Sequence, residues 1–359
     1  MTLTDIAAIR LISQQIAGTQ FTTPKEMVGW MGAMQAQDYQ MAKWALGIRV
    51  HEATEKNIEA AIDSGKIIRT HLLRPTWHFV SADDIYWMLA LSGPRIKAAQ
   101  KSREKQLELT ERIFAKSNTI FERVLAGGKH LTRVELLEEL TKAKIVTGNN
   151  RSSHLLFNAE LEGIICSGKT INKQITYALL NERVPENKKL NKDEALFRLA
   201  DKYFKSHCPA TLSDFTWWSG LSISDARHAL EIIKKDFNSD KIGSQIYWFP
   251  DSFVIPENYK KSAYLLPAFD EFLISYKDRS AALAFENHRK AFSNNGIFWP
   301  VIVVNGQVKG TWKRTFKKDK VIVTTHFFEA PGKGVIGLVE KAGEKLGFFL
   351  GHTIEMIYQ

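Results

Sequence analysis

Lys66-Ile67-Ile68-Arg69-Thr70-His71-Leu72-Leu73-Arg74-Pro75-Thr76-Trp77-His78-Phe79-Val80 is the stretch on which the fold reading turns. Two runs rich in β-branched and aromatic residues flank Arg74-Pro75, so the segment reads as two strands with a turn there. What precedes it is helical. Thr4 is a candidate N-cap for an opening helix, with Ile6, Ile9, Leu11 and Ile12 at helical spacing. Thr23-Pro24 with Glu26 starts another, because proline fits the first helical position. Thr54 opens a further helix through Asn57, Ile58, Ala61 and Ile62, stopped at Ser64-Gly65. Helices followed by a two-stranded hairpin describe a winged helix-turn-helix.

The same order returns further along. Thr132 caps a helix from Arg133, and Asn149 to Ser153 precede another carrying His154, Leu155, Phe157 and Leu161. Gly163 to Gly168 and Ile175 to Ala178 then pair as a second wing. A polar linker, Asn181 to Lys189, leads into a third unit with Thr211 and Ser222 as caps and a wing from Ile242-Gly243 to Trp248-Phe249. After Pro256 the character changes. Val301 to Val304, Asn305-Gly306 and Val308 to Trp312 form a strong hairpin pattern, Val321 to Thr325 adds a strand, and Val335 to Leu346 reads as a helix. The expected fold is mainly α with short β wings: winged helices over 1–81, 82–180 and 190–256, and a β-rich C-terminal domain over 257–359.

The bulk figures agree with a multidomain globular chain. At 359 residues with 44% hydrophobic composition, several sizeable cores are possible. The formal net charge is +10 and the pI near 9.3, which favours polyanionic partners but also describes a lysine-rich surface. Cys166 and Cys208 provide no disulfide framework or metal spacing and read as reduced, buried thiols. The N-terminus lacks the pattern of a signal peptide, and no apolar run reaches membrane-spanning length. No phosphate loop, GxSxG element, Rossmann fingerprint or zinc spacing occurs, so neither cofactor nor metal is expected.

Candidate chemistry centres on Met34-Gln35-Ala36-Gln37-Asp38. Residues i and i+2 diverge on a helix but share a side on a strand or a frayed helix end. Two neutral amides aimed at one spot can hold a water without adding charge, which suits hydrolysis of a substrate that is already cationic. Asp38 is a candidate for catalytic support. The plainer alternative is that both glutamines end a helix and bond to backbone. Arg69, His71, Arg74 and His78 alternate with apolar residues, and Lys66, Arg69 and Arg74, with no Asp or Glu from Gly65 to Ser81, give a local charge of +3, so one face of the first wing could meet phosphates. From Val301 to Thr325 the local charge is +5, with Lys313, Arg314, Lys317 and Lys318 beside Trp312 as a basic hairpin suited to a DNA groove. For either set the plain alternative is a solvated strand face. Asp270, Glu271, Asp278 and Arg279 invite a paired-carboxylate reading, but with Phe269, Phe272, Leu273 and Ile274 around them Asp270 and Arg279 read as a structural ion pair, and a role in the site is the lesser alternative.

Four motifs, in order, carry a resemblance: Gln35-Ala36-Gln37; Arg69 to Val80; Pro267-Ala268-Phe269-Asp270-Glu271-Phe272 with Tyr276-Lys277-Asp278-Arg279; and Gly310-Thr311-Trp312-Lys313-Arg314. Together they resemble the AlkZ/YcaQ family of bacterial DNA glycosylases, in its Gln-x-Gln branch. The resemblance implies a monofunctional glycosylase in base excision repair that hydrolyses the N-glycosidic bond of cationic or bulky N-alkylpurines, interstrand crosslinks included. It implies that Gln35 and Gln37 position the hydrolytic water. It also implies a cytoplasmic, nucleoid-associated monomer whose partner is double-stranded DNA carrying alkylated purines. A non-catalytic winged-helix regulator and an interaction scaffold are the alternatives. A regulator needs a dimerisation element and a sensor, and neither is visible; a scaffold has no use for the paired glutamines.

Overall fold

The computed structural model describes residues 1–186, 189–253 and 262–359. The linker positions 187 and 188 and the expected boundary at 256/257 lie outside the described residues. Contacts group the chain into two units, Met1–Glu59 with Leu196–Gln359, and Ala60–Ala195. This grouping cuts across the expected first module. Its opening helices belong with the C-terminal half of the chain, and its wing belongs to the other unit. No described helix is long and apolar enough to cross a membrane.

In the unit Ala60–Ala195, the expected two-stranded hairpin forms. Strands Ile67–Leu72 and Thr76–Ser81 pair antiparallel, with Leu72 opposite Thr76. The long helix Ile85–Gln106 follows. Then come helix Glu111–Leu125, the short strand Leu131–Thr132, helices Arg133–Lys142 and Arg151–Leu161, and strands Ile165–Ile171 and Gln174–Leu179. Thr132 and Glu135 close a capping box on the third helix of this unit. Asn172 and Lys173 both take positive φ, the conformation a two-residue hairpin turn demands. Phe121, Leu125, Leu136, Leu140 and Leu155, all fully buried, make its core.

In the other unit, the opening helix is Leu3–Ser13, capped by Thr2 in a box with Asp5 and not by the expected Thr4. Helices Pro24–Met31 and Tyr39–Gly47 follow, joined by the short strand Ala33–Gln35. Helices Leu212–Ser219 and Ile223–Ile233 lead into the hairpin of Phe237–Ile242 and Gln245–Pro250, which begins five residues before the strand expected from Ile242. A five-stranded sheet completes the unit, in the order Thr353–Tyr358, Lys320–Phe327, Gln307–Phe316, Val301–Val304, Ala263–Leu266. Asn305 and Gly306 make the expected tight turn, both at positive φ. The edge strand Thr353–Tyr358 was not expected; it runs parallel to its neighbour after the helix Val335–Leu350 crosses back. Gly310 is required inside its strand, because a Cβ there would lie 2.4 Å from the His326 carbonyl oxygen.

Candidate active site

The paired glutamines sit where one element ends and the next begins. Gly32, at φ +78, breaks the helix Pro24–Met31 and turns the chain into the strand Ala33–Gln35. Gln35 ends that strand and is 6% exposed. Ala36 is buried, whereas Gln37 and Asp38 are exposed in the bend that follows. Asp38 caps the next helix, its carboxylate accepting the Met41 N–H at 3.0 Å. The motif is therefore neither helical nor frayed. It is a strand end and a bend held between two capped helices, with one glutamine anchored and the other reaching solvent.

Beneath it lies a set of buried charges from distant parts of the chain. The Gln35 N–H donates to the Glu271 carboxylate, which also accepts from the Ser275 hydroxyl. Glu271 is 1% exposed, and His207 Nε2 lies 3.9 Å from it. Burial alone would raise the Glu271 carboxyl, yet the imidazole of His207, the Ser275 hydroxyl and the Gln35 N–H hold it down at about 2. Burial pushes His207 below its usual value, against the pull of Glu271. Asp270, expected to pair with Arg279, instead binds Arg49 through two contacts of 2.7 and 2.8 Å. The reason is position. Arg49 emerges from the end of the helix Tyr39–Gly47 directly against the buried Asp270 carboxylate, while Arg279 donates to the Leu273 carbonyl and lies over the Phe298 ring. Asp214 meets Arg10 at 3.6 Å.

The basic hairpin is sorted by burial. Lys313, Lys317 and Lys318 are exposed on strand Gln307–Phe316 and its turn, beside Phe316. Trp312 is a core residue, donating its indole N–H to the Leu266 carbonyl at 2.8 Å, so it packs under the sheet and does not reach a groove. Arg314 is half-buried; burial lowers its pKa, and the negative charges of Glu55 and Asp38 oppose that shift. Arg314, two residues from the end of its strand, therefore shares the electrostatic neighbourhood of Asp38, a closeness invisible in the chain order. Lys43, on the helix that Asp38 caps, is buried and ion-paired to Glu55 and Glu59 at 2.7 and 2.6 Å.

The first wing departs from expectation. Its strands are buried on both faces, not on one. His78 is fully buried, its Nδ1 against the Thr76 carbonyl. Arg69 is buried with its guanidinium 4.0 Å over the Trp77 ring. His71 pairs through Nδ1 with the buried Glu160 of helix Arg151–Leu161. His71 and Glu160 line a cavity of about 420 Å³ with Trp77, Arg133, Phe157 and Tyr177, inside the same unit. Packing has claimed the side chains expected to form a phosphate-facing stripe. Arg74, half-exposed at the turn, is the one of the four outside the strands.

Sequence reasoning missed Arg49 and Lys43, and left Glu271 with a minor role. A charged residue in an apolar setting, as in Gly47-Ile48-Arg49-Val50, is the pattern that marks such positions.

Comparison with known proteins follows the same line. The curated proteins return no match. Among solved structures, the Streptomyces sahachiroi DNA glycosylase AlkZ superposes with a TM-score of 0.82 at 19% identity, over 99% of this chain and 100% of that one. At that identity the likeness establishes the fold. The sequence profile described as DNA glycosylase AlkZ-like matches residues 28–349, from the helix ahead of Gln35 to the C-terminal helix. The chain belongs to the AlkZ-like DNA glycosylase family.

Proposed function

We propose that this protein hydrolyses the N-glycosidic bond of cationic N-alkylpurines in double-stranded DNA, bulky adducts and crosslinked purines among them, as a monofunctional glycosylase. The observation that carries this reading is the strand-end placement of Gln35-Ala36-Gln37: a buried amide and an exposed one, next to an aspartate already engaged as a helix cap. Two uncharged amides accept and donate hydrogen bonds to water but are poor proton acceptors. They orient the water and meet positive charge developing on the sugar with their carbonyl dipoles. Alkylation at N7 of guanine or N3 of adenine supplies the rest. The water oxygen bonds to C1′ as the C1′–N bond breaks, the bond pair neutralises the cationic ring, and the surplus proton passes to solvent. No strong acid is needed. Lys43 is held in its ion pairs, which favours hydrolysis over a lysine-based lyase step.

The repeated order of helices and hairpins supports tandem winged helices, and the exposed Lys313, Lys317 and Lys318 support contact with the phosphate backbone. The protein then acts as a monomer on bacterial chromosomal DNA.

The test compares base release from duplexes carrying N7-alkylguanine or uracil, at one salt concentration, in single turnover. The N7-alkylguanine should be released and the uracil should not. Gln35→Ala and Gln37→Ala should each slow release by about 10²-fold or more with DNA affinity retained. Wild-type rates in both variants, or efficient uracil release, would refute the amide-pair mechanism. Tight duplex binding with no release of either base would favour a non-catalytic binder.

A further inference from the structure

Among the described residues of the unit that carries the glutamine motif, three carboxylates are buried, and they are neutralised unequally. Asp270 has the Arg49 guanidinium in two-point contact, and Asp214 has Arg10 at 3.6 Å. Glu271 has neither. Among the described residues, no lysine or arginine lies within ion-pair distance of it. Its surroundings are the Ser275 hydroxyl, the Gln35 N–H and, at 3.9 Å, an imidazole that acts through its field and not through a formed hydrogen bond. A carboxylate with 1% exposure is unfavourable without such donors, and dipoles are what hold it. One of those dipoles is the backbone of the residue proposed to hold the attacking water.

We propose that Glu271 is a positioning residue for the glutamine pair: its carboxylate fixes the Gln35 backbone at the strand end and places a buried negative charge directly behind it. The inference rests on the catalytic reading of Gln35 and Gln37. Two consequences follow. The first is geometric. Gln35 ends a strand of three residues, and the charge-assisted bond from its N–H to Glu271 fixes the backbone from which its side chain starts. The second is electrostatic. When a cationic base departs, positive charge moves from the ring to the sugar. A fixed anion behind the water-holding amide favours that later distribution, in a region where burial limits screening. Neutral glutamines thereby work in front of a charge that never contacts the substrate, and the water is not presented to a competing base.

The first variant is Glu271→Gln in the full-length protein, which keeps the size of the side chain and removes the charge. Four quantities are read: the single-turnover rate on an N7-methylguanine duplex, the affinity for the same duplex, and the chemical shift and the hydrogen-exchange rate of the Gln35 amide proton by NMR. The rate should fall about tenfold or more, with duplex affinity unchanged. The Gln35 amide proton should move upfield and exchange faster as its carboxylate acceptor is lost. Glu271→Asp, which keeps the charge at shorter reach, should recover part of the rate. Ser275→Ala is the milder variant should Glu271→Gln fail to fold. It removes one donor from the same carboxylate, so the acid side of its pH–rate profile should move to higher pH as Glu271 protonates more readily. Wild-type rate in Glu271→Gln, an unmoved Gln35 amide, or an unshifted profile in Ser275→Ala would each overturn the proposal. Should the wild-type protein release no base from any duplex, the catalytic reading fails on its own. The Gln35 amide then still decides whether Glu271 holds this strand end.

Discussion

Arg49→Met is the perturbation whose cost the structure states most fully. Arg49 is completely buried and each of its guanidinium nitrogens is used. Nε donates to the Gln14 carbonyl at 3.0 Å, Nη1 to the Ala45 carbonyl at 2.7 Å and to Asp270 at 2.8 Å, and Nη2 to the Gln14 side chain at 2.8 Å and to Asp270 at 2.7 Å. Methionine fills much of the volume but makes none of these bonds. The Asp270 carboxylate, 3% exposed, is left with the Phe272 N–H at 2.9 Å as its remaining donor. Removing one partner of a buried pair costs roughly 3–5 kcal/mol, because the other charge stays uncompensated. The Gln14 carbonyl and Oε1 also lose their Arg49 donors, which places this case at the upper end of that range. The double variant Arg49→Met with Asp270→Leu should be more stable than Arg49→Met alone, since no charge is then stranded. Equilibrium urea unfolding followed by tryptophan fluorescence measures both. Because Asp270 immediately precedes Glu271, Arg49→Met should also slow base release. A loss below about 1 kcal/mol in the single variant, or a double variant less stable than the single, would refute the reasoning that this pair is a charge clamp.

Neutralising the exposed Lys313, Lys317 and Lys318 together should weaken binding to any duplex regardless of sequence. It should reduce the slope of log affinity against log salt by about 0.9 for each phosphate contact removed. A slope equal to that of the wild-type protein would identify the cluster as a solvated strand edge. Glu271 also sets a pH dependence of stability. Its carboxyl is depressed from 4.5 to about 2, so its contribution is complete above about pH 4.5 and is lost as pH falls towards 2. That window is worth up to about 3 kcal/mol. Urea unfolding at pH 6, 4 and 2.5 should show Glu271→Gln losing less stability across it than the wild-type protein. Parallel losses would show that Glu271 is not ionised in the folded state.

Local pattern carried a good deal of this molecule. Thr23-Pro24 opened a helix, Thr132 and Thr211 closed capping boxes, and Asn305-Gly306 turned a hairpin, because each depends on neighbours within a few residues. The run of lysines at 313–320 was legible for the same reason, and four ordered motifs sufficed to indicate the family to which the chain belongs. The parallel edge strand Thr353–Tyr358 was not legible, because its partner precedes the intervening helix and nothing local announces the pairing.

Charge placement belonged to tertiary structure. In sequence, Arg69, His71 and His78 look like a basic stripe, Trp312 like part of a groove-binding tip, and Arg279 like the partner of Asp270. Burial reassigned each of them: a guanidinium over Trp77, an imidazole against Glu160, an indole bonded to Leu266, and Arg49 in the place of Arg279. Periodicity reports which face of an element turns inward, but it does not report what stands opposite that face. A buried charge must find its counter-charge or donor wherever the chain brings one, and here those partners come from far along the sequence. The chain alone therefore determined several helix starts, the tight turns and the family, and it singled out Gln35 and Gln37 as the candidate pair. Only the folded core decided that Gln35 rests on Glu271, because that contact joins two segments whose meeting is written in neither.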